Sequence, residues 1–340
     1  MLALRPVRTL STLAATALAL AALSACGASG SGSGSDDGRI AIVASTNVYG
    51  DIASVVAGDR ADVTSLITSP SQDPHEYEAS AQDRLRVGKA DIVIENGGGY
   101  DPFVDTLLED ARSEATVIDA VDVSGLEPKD HDSDGADGDH AEGEEHGSEE
   151  HGAEEHGAAG DDHGHIEGFN EHVWYDFGAV KAVAARIADT LAELDPDNAS
   201  SYRSNAEGFE AKVDDLAAQA QKLRTSAQGR GAAITEPVPL YLLTAVGLVN
   251  KTPAEFSEAV EEGADVPARV LQQTLDVVRG DSVALLAYNE QAADSTTEQV
   301  RAAAEKAGVP VVDFTETLPE GGTYLTWQQK NLDGIAAALR

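Results

Sequence analysis

Cysteine is almost missing from this 340-residue chain: Cys26 is the sole one, so no intrachain disulfide can form. Cys-rich zinc and iron–sulfur chemistry goes with it, and any metal site must be built from nitrogen and oxygen donors. Positive charge is scarce as well, with 23 Lys+Arg against 60 Asp+Glu and a formal net charge of −37. A body of that sign is repelled by phosphate backbones and anionic headgroups, which makes nucleic acid a poor partner and cations good ones. No histidine follows His172, so everything beyond it must contribute oxygen rather than imidazole to a metal. His-Glu-x-x-His and Gly-x-Ser-x-Gly are both absent, which removes two common hydrolase signatures. Gly97-Gly98-Gly99 lacks the lysine of a phosphate loop and reads as a turn at a strand end. The long apolar run Leu10–Leu23 is too short to span a bilayer comfortably.

What is present begins with that run. Arg5 and Arg8 precede it and Leu23-Ser24-Ala25-Cys26 closes it, the marks of an export signal. Residues 1–25 are therefore expected to be a lipoprotein signal peptide, with Cys26 lipidated and residues 26–38 a flexible Gly/Ser tether. Acyl chains would then hold the protein at the outer face of the cell membrane. The second feature is a concentration of histidine. Seven of the nine histidines (His131, His140, His146, His151, His156, His163 and His165) lie between Glu127 and Glu167, among sixteen acids and one lysine. Its centre is a pentamer run three times from Glu144 to Ala158. Such a stretch has too little apolar surface for a packed core. It reads either as a charged solvating insertion or as a gatherer of divalent metal.

From Arg39 onward, short β-branched runs alternate with helical spacing. Strands are expected at Ile40–Ala44, Val63–Thr68, Asp91–Glu95 and Thr116–Asp119, with helices at Val48–Val56, Ser80–Lys89 and Asp101–Arg112. After the His-rich stretch, Val180, Val183, Ala184, Ile187, Leu191 and Leu194 trace one helical face. Asp195-Pro196 reads as the N-cap and first-turn proline of a further helix. Its apolar stripe is Tyr202, Ala206, Phe209, Val213, Leu216, Ala220 and Leu223, a stiff connector by its length. A second βα region follows, with strands at Ala232–Thr235, Ser282–Ala287 and Val309–Phe314 and helices at Ala268–Val278, Thr296–Ala307 and near the C-terminus. The fold class is α/β, with two lobes of parallel sheet joined by the long helix. The first lobe takes residues 39–126, the His-rich stretch 127–167, the rest of that lobe and the connector 168–228, and the second lobe 229–340. Ligands in such folds bind beyond the carboxyl ends of the strands, which places a site between the lobes.

The two histidines outside the rich stretch fall at that cleft. His75 lies in Asp73-Pro74-His75-Glu76-Tyr77-Glu78 and His172 in Glu171-His172-Val173-Trp174-Tyr175-Asp176. These two segments resemble the paired histidine motifs of the solute-binding lipoproteins of zinc and manganese ABC importers, the cluster A-I (ZnuA-like and TroA-like) group. A His-rich acidic loop before the second motif and a long helix opened by Asp-Pro are similar too, so the resemblance covers nearly the whole chain beyond the signal. It implies two α/β lobes joined by a rigid helix and four ligands converging between them. His75 and His172 would be two. The third matches Glu236 in Thr235-Glu236-Pro237, and the fourth falls on Glu316 or Asp313 in Asp313-Phe314-Thr315-Glu316, with the residues that follow favouring Glu316. The implied cargo is Zn2+, with Mn2+ as the alternative, delivered by a monomeric protein to an ABC permease in the cytoplasmic membrane. A non-enzymatic carrier is expected, because four protein ligands close the shell to substrate water. A metal buffer acting through the His-rich stretch and a zinc hydrolase are the other readings.

Overall fold

A computed structural model describes residues 39–127 and 168–340 apart from positions 73 and 76. The expected signal peptide and tether, with Cys26, and the seven clustered histidines lie outside the described residues. In the first lobe β1 (Ile40–Thr46), β2 (Ala61–Ile67), β3 (Ile92–Glu95) and β4 (Thr116–Asp119) alternate with α1 (Asn47–Ala57), α2 (Ala81–Val87), α3 (Phe103–Ala111) and the short α4 (Ala120–Ser124). All pairings are parallel and the strand order is β2-β1-β3-β4. The chain resumes at Gly168, makes a 3-10 turn at Val173–Tyr175, and runs through α5 (Phe177–Leu194) into α6 (Ala199–Ala227). The second lobe repeats the plan. β5 (Gly231–Ile234), β6 (Val249–Asn250), β7 (Val283–Asn289) and β8 (Val311–Phe314) form a parallel sheet ordered β6-β5-β7-β8. Its helices are α7 (Leu240–Ala245), α8 (Ala254–Glu261), α9 (Ala268–Arg279), α10 (Ser295–Ala307) and α11 (Tyr324–Ala338).

Parallel sheets need cover on both faces, and three clusters supply it. One continuous core joins the lobes: Ile42, Ile92 and Ile94 of the first sheet and Ala232, Ile234, Leu285 and Ala287 of the second share it with α5, α6 and α11. Smaller clusters cover the other face of each sheet, one around Val43, Val93 and Leu107, the other around Ala233, Leu286 and Val300. α6 buries the stripe read from its periodicity, with Tyr202, Ala206, Phe209, Val213, Leu216 and Ala220 all buried. It packs against α1 and α5 of the first lobe and α7 and α11 of the second. Among the described residues no helix is long and apolar enough to cross a membrane.

Three details depart from expectation. Pro196 begins a separate 3-10 turn, Pro196–Asn198, and α6 starts only at Ala199. The Asp195 carboxylate accepts from Asn198 Nδ2 and the Tyr202 hydroxyl, each at 2.7 Å, rather than capping a backbone N–H. Leu194, read as part of the buried face of α5, is 47 % exposed because it sits in the last turn, where the chain leaves the core. The elements α4, α7, α8 and β6 are too short to register as periodic: α7 is six residues long and β6 two, and α8 buries only Phe256 and Ser257.

Candidate metal centre

Apart from Asp313, which lies within β8, every residue singled out for the site follows the carboxyl end of a strand or sits in the segment that faces it. His75 is in the loop after β2. Tyr77 fixes that loop by donating to Asp83 Oδ2 at 3.0 Å, and its ring lies 4.8 Å from that of Phe103. Asp83 in turn closes a capping box with Ser80 at the start of α2. From the other lobe, Gln291 Nε2 donates to the Gln72 carbonyl at 3.3 Å. Glu236 follows β5, Asn289 ends β7 and Glu316 follows β8. His172 immediately precedes the 3-10 turn at Val173–Tyr175, whose three side chains are buried.

His75, His172 and Glu316 come together, each offering one ligand atom within 4.8 Å of the others. His75 Nε2 is 3.6 Å and His172 Nε2 4.0 Å from the same oxygen, Glu316 Oε2. The two rings are 6.1 Å apart and sit in an aromatic frame. Tyr100 lies 4.9 Å from His75 and 5.7 Å from His172, and Trp174 lies 5.1 Å from His172.

Hydrogen bonds set the orientation of these groups. Asn170 Nδ2 donates to the Pro237 carbonyl at 3.2 Å, so its oxygen faces His172. That oxygen is 2.7 Å from His172 Nδ1 and also accepts the His172 backbone N–H. An amide oxygen can only accept, so Nδ1 carries the proton and the Nε2 lone pair faces Glu316, the arrangement a ligating histidine needs. Glu316 Oε2 accepts from the Tyr100 hydroxyl at 3.0 Å and Oε1 from Asn289 Nδ2 at 2.8 Å. Its backbone N–H donates to Gln291 Oε1 at 2.7 Å. Burial and the Glu316 charge push the Tyr100 phenol well above its ordinary range, so it stays a donor.

Glu236 is buried at 4 % exposure, outside the group of three. It accepts from Asn289 Nδ2, so one amide nitrogen serves both Glu236 and Glu316. Asn289 Oδ1 accepts the Gln291 backbone N–H at 3.0 Å, which fixes the amide the right way round. Asp313, the other residue considered for the fourth position, points elsewhere: it pairs with Arg301 at 3.0 Å on a partly exposed part of β8. Alternation along the strand accounts for this, since Val312 and Phe314 are buried and Asp313 between them faces out.

Two acids absent from the expected set belong to the neighbourhood. Glu261, the last residue of α8, places Oε1 3.7 Å from His172 Nδ1. It forms a second group with His75 and Glu171, again with ligand atoms within 4.8 Å. Burial, and then the charges of Glu171, Glu236 and Glu316, push Glu261 up to about 10. Glu171 adjoins His172 in the second histidine motif, a signal that could have pointed to it. Glu261 had none, one acid among 60. A cavity of about 420 Å3 is lined by Glu171 and Glu261 together with Gly168, Asn170, Glu258 and Glu262.

The lobes are tied around the site. Asn47 exchanges two hydrogen bonds with the Leu318 backbone, at 3.1 and 2.9 Å, and Asp51 accepts the Tyr324 backbone N–H. Tyr175 donates to the Thr315 carbonyl and Tyr241 to that of Asn170, both at 2.7 Å.

Comparison with known proteins agrees with this architecture. The family model described as the periplasmic component A of the zinc-uptake complex matches residues 42–338. A manganese ABC transporter substrate-binding lipoprotein of Streptococcus gordonii is 25 % identical over 327 residues, spanning 91 % of this chain and 92 % of its own. Among solved structures, the periplasmic zinc binding protein TroA of Treponema pallidum superposes with a TM-score of 0.65 at 19 % identity, covering 88 % of this chain and 99 % of that one. The Pseudomonas aeruginosa protein FpvC, solved in complex with Mn2+, gives 0.65 at 23 % identity, covering 88 % and 98 %.

Proposed function

This chain belongs to the family of periplasmic components of zinc-uptake complexes, and on that premise we propose that it captures a divalent transition metal outside the cytoplasmic membrane and hands it to an ABC-type permease. The family consists of substrate-binding proteins of transporters rather than enzymes. The observation that carries the reading is the meeting of His75, His172 and Glu316 at one point between the lobes. Two imidazoles from the first lobe and a carboxylate from the second supply three ligands, and Glu236, held to Glu316 through Asn289, is the fourth. The β8 side contributes Glu316 rather than Asp313, which is engaged by Arg301.

Such a donor set is half nitrogen and half oxygen. Imidazole suits zinc, while the paired carboxylates admit manganese and ferrous iron more readily than an all-histidine site would. We assign zinc as the first cargo and manganese as the second. The names of similar proteins support both, zinc for the Treponema protein and manganese for the Streptococcus one. Cys26 is the lipid anchor in this reading, holding a monomer on the outer face of the membrane.

Calorimetric titration with zinc and manganese, combined with metal analysis, tests the proposal on three proteins that start after Cys26. These are the intact chain, a chain lacking residues 130–165, and one carrying His75→Ala with His172→Ala. The shortened chain should keep one tight equivalent. The double variant should lose it by more than the roughly 10- to 100-fold that follows removal of groups behind a ligand. Tight binding that leaves with residues 130–165 and survives the double substitution would make the protein a buffer instead.

A further inference from the structure

Two metal-capable groups stand side by side and share one residue. His75 belongs to the group with His172 and Glu316 and equally to the group with Glu171 and Glu261. The second group also spans the lobes, with Glu171 in the segment entering the 3-10 turn of the first lobe and Glu261 at the end of α8 in the second. It lies nearer to solvent. Glu171 and Glu261 both line the 420 Å3 cavity, whose wall continues to the exposed Glu258 and Glu262. Glu171 is buried at 3 % exposure and Glu261 is partly buried, so acid side chains lead inward from the surface to the imidazoles.

Resting on the reading above, we propose that His75, Glu171 and Glu261 form a second, outer position for a divalent transition metal, through which the ion passes between the cavity and the inner site. One imidazole nitrogen and two carboxylate oxygens leave several coordination places to water, so a hydrated ion is taken up there before it is stripped. A neutral imidazole gives one lone pair to one metal. His75 therefore serves the two positions in turn, and the ion moves inward as His75 exchanges Glu171 and Glu261 for His172 and Glu316.

The test uses the full chain and Mn2+ alone, located by its anomalous scattering in crystals. In the unsubstituted chain the ion should lie between His75, His172 and Glu316; its absence there would sink the carrier reading itself. With His172→Ala, the ion should instead lie between His75, Glu171 and Glu261, and adding Glu171→Gln with Glu261→Gln should remove it. Glu316→Gln, which keeps size and shape, serves as the second inner variant should the buried alanine prevent folding. An inner variant that binds no Mn2+ at the outer three residues, or binds it there regardless of both carboxylates, overturns the outer position. Rapid mixing gives an independent reading: Glu171→Gln with Glu261→Gln should slow Mn2+ association at least tenfold, and an unchanged rate would also overturn it.

Discussion

A single amide, that of Asn289, holds two buried carboxylates in place, and this shows what residue-level detail contributes to the site. Glu236 and Glu316 are both nearly inaccessible, and the two N–H bonds of Asn289 are directed one to each. Neither role follows from the sequence, because an asparagine at a strand end is unremarkable until the strand order is known. The histidines were legible for the opposite reason. Only two lay outside the rich stretch, and both fell where the βα pattern placed a cleft. Away from the site, Glu95 shows burial acting without a compensating partner charge. Burial, then the nearby Asp101, Asp105, Asp119 and Asp122, raises it from 4.5 to about 8. Between those values the folded chain keeps a proton that the unfolded chain has released, so stability falls as pH rises through that window and stays lower above it. Glu95→Gln should therefore raise the Tm relative to the parent at pH above about 8 and match it near pH 4. Thermal melts across pH check this, and an equal gain at both ends would mean that charge is not the cause.

At the scale of elements, length and periodicity decided what could be read. α6 announced itself through seven apolar positions at steps of four and three, and β3 and β4 through compact β-branched runs. α8 is invisible by the same criterion, yet it carries Glu261, so the acid reached the site on an element no pattern disclosed. The register of the sheets was out of reach as well, since it depends on pairings between strands distant in the chain. Within α6, Gly208 is a helical position whose added Cβ would meet nothing within 4 Å. Gly208→Ala should stabilise the protein by about 0.5–1 kcal/mol, from helix propensity and a less free unfolded chain. That amounts to a Tm gain of a few degrees, measured by calorimetry, with metal affinity unaltered. A destabilised Gly208→Ala protein would show that the position is packed more closely than described.

On the scale of the whole molecule, charge and rigidity determine how a cation meets the protein. The formal net charge of −37 draws divalent ions toward an acidic mouth, and salt shortens the reach of that field from about 30 Å at 0.01 M to about 3 Å at 1 M. The association rate for Zn2+ should fall at least tenfold over that range, while dissociation from the buried site changes far less. Stopped-flow measurements at several KCl concentrations decide it, and a flat association rate would leave the acidity to solubility alone. α6 sets a different limit. It runs about 43 Å as one 29-residue helix against helices of both lobes, and the side-chain-to-backbone bonds of Asn47, Tyr175 and Tyr241 fasten the lobes to one another beside the site. A receptor that closes around its ligand can refuse an impostor by failing to close. A molecule fastened in this way has no such veto. On the reading proposed above, its discrimination among ions rests on the intrinsic preferences of two imidazoles and two carboxylates, which rank first-row metals by a fixed chemical order. What it carries is therefore decided as much by the supply of ions in its surroundings as by its own structure.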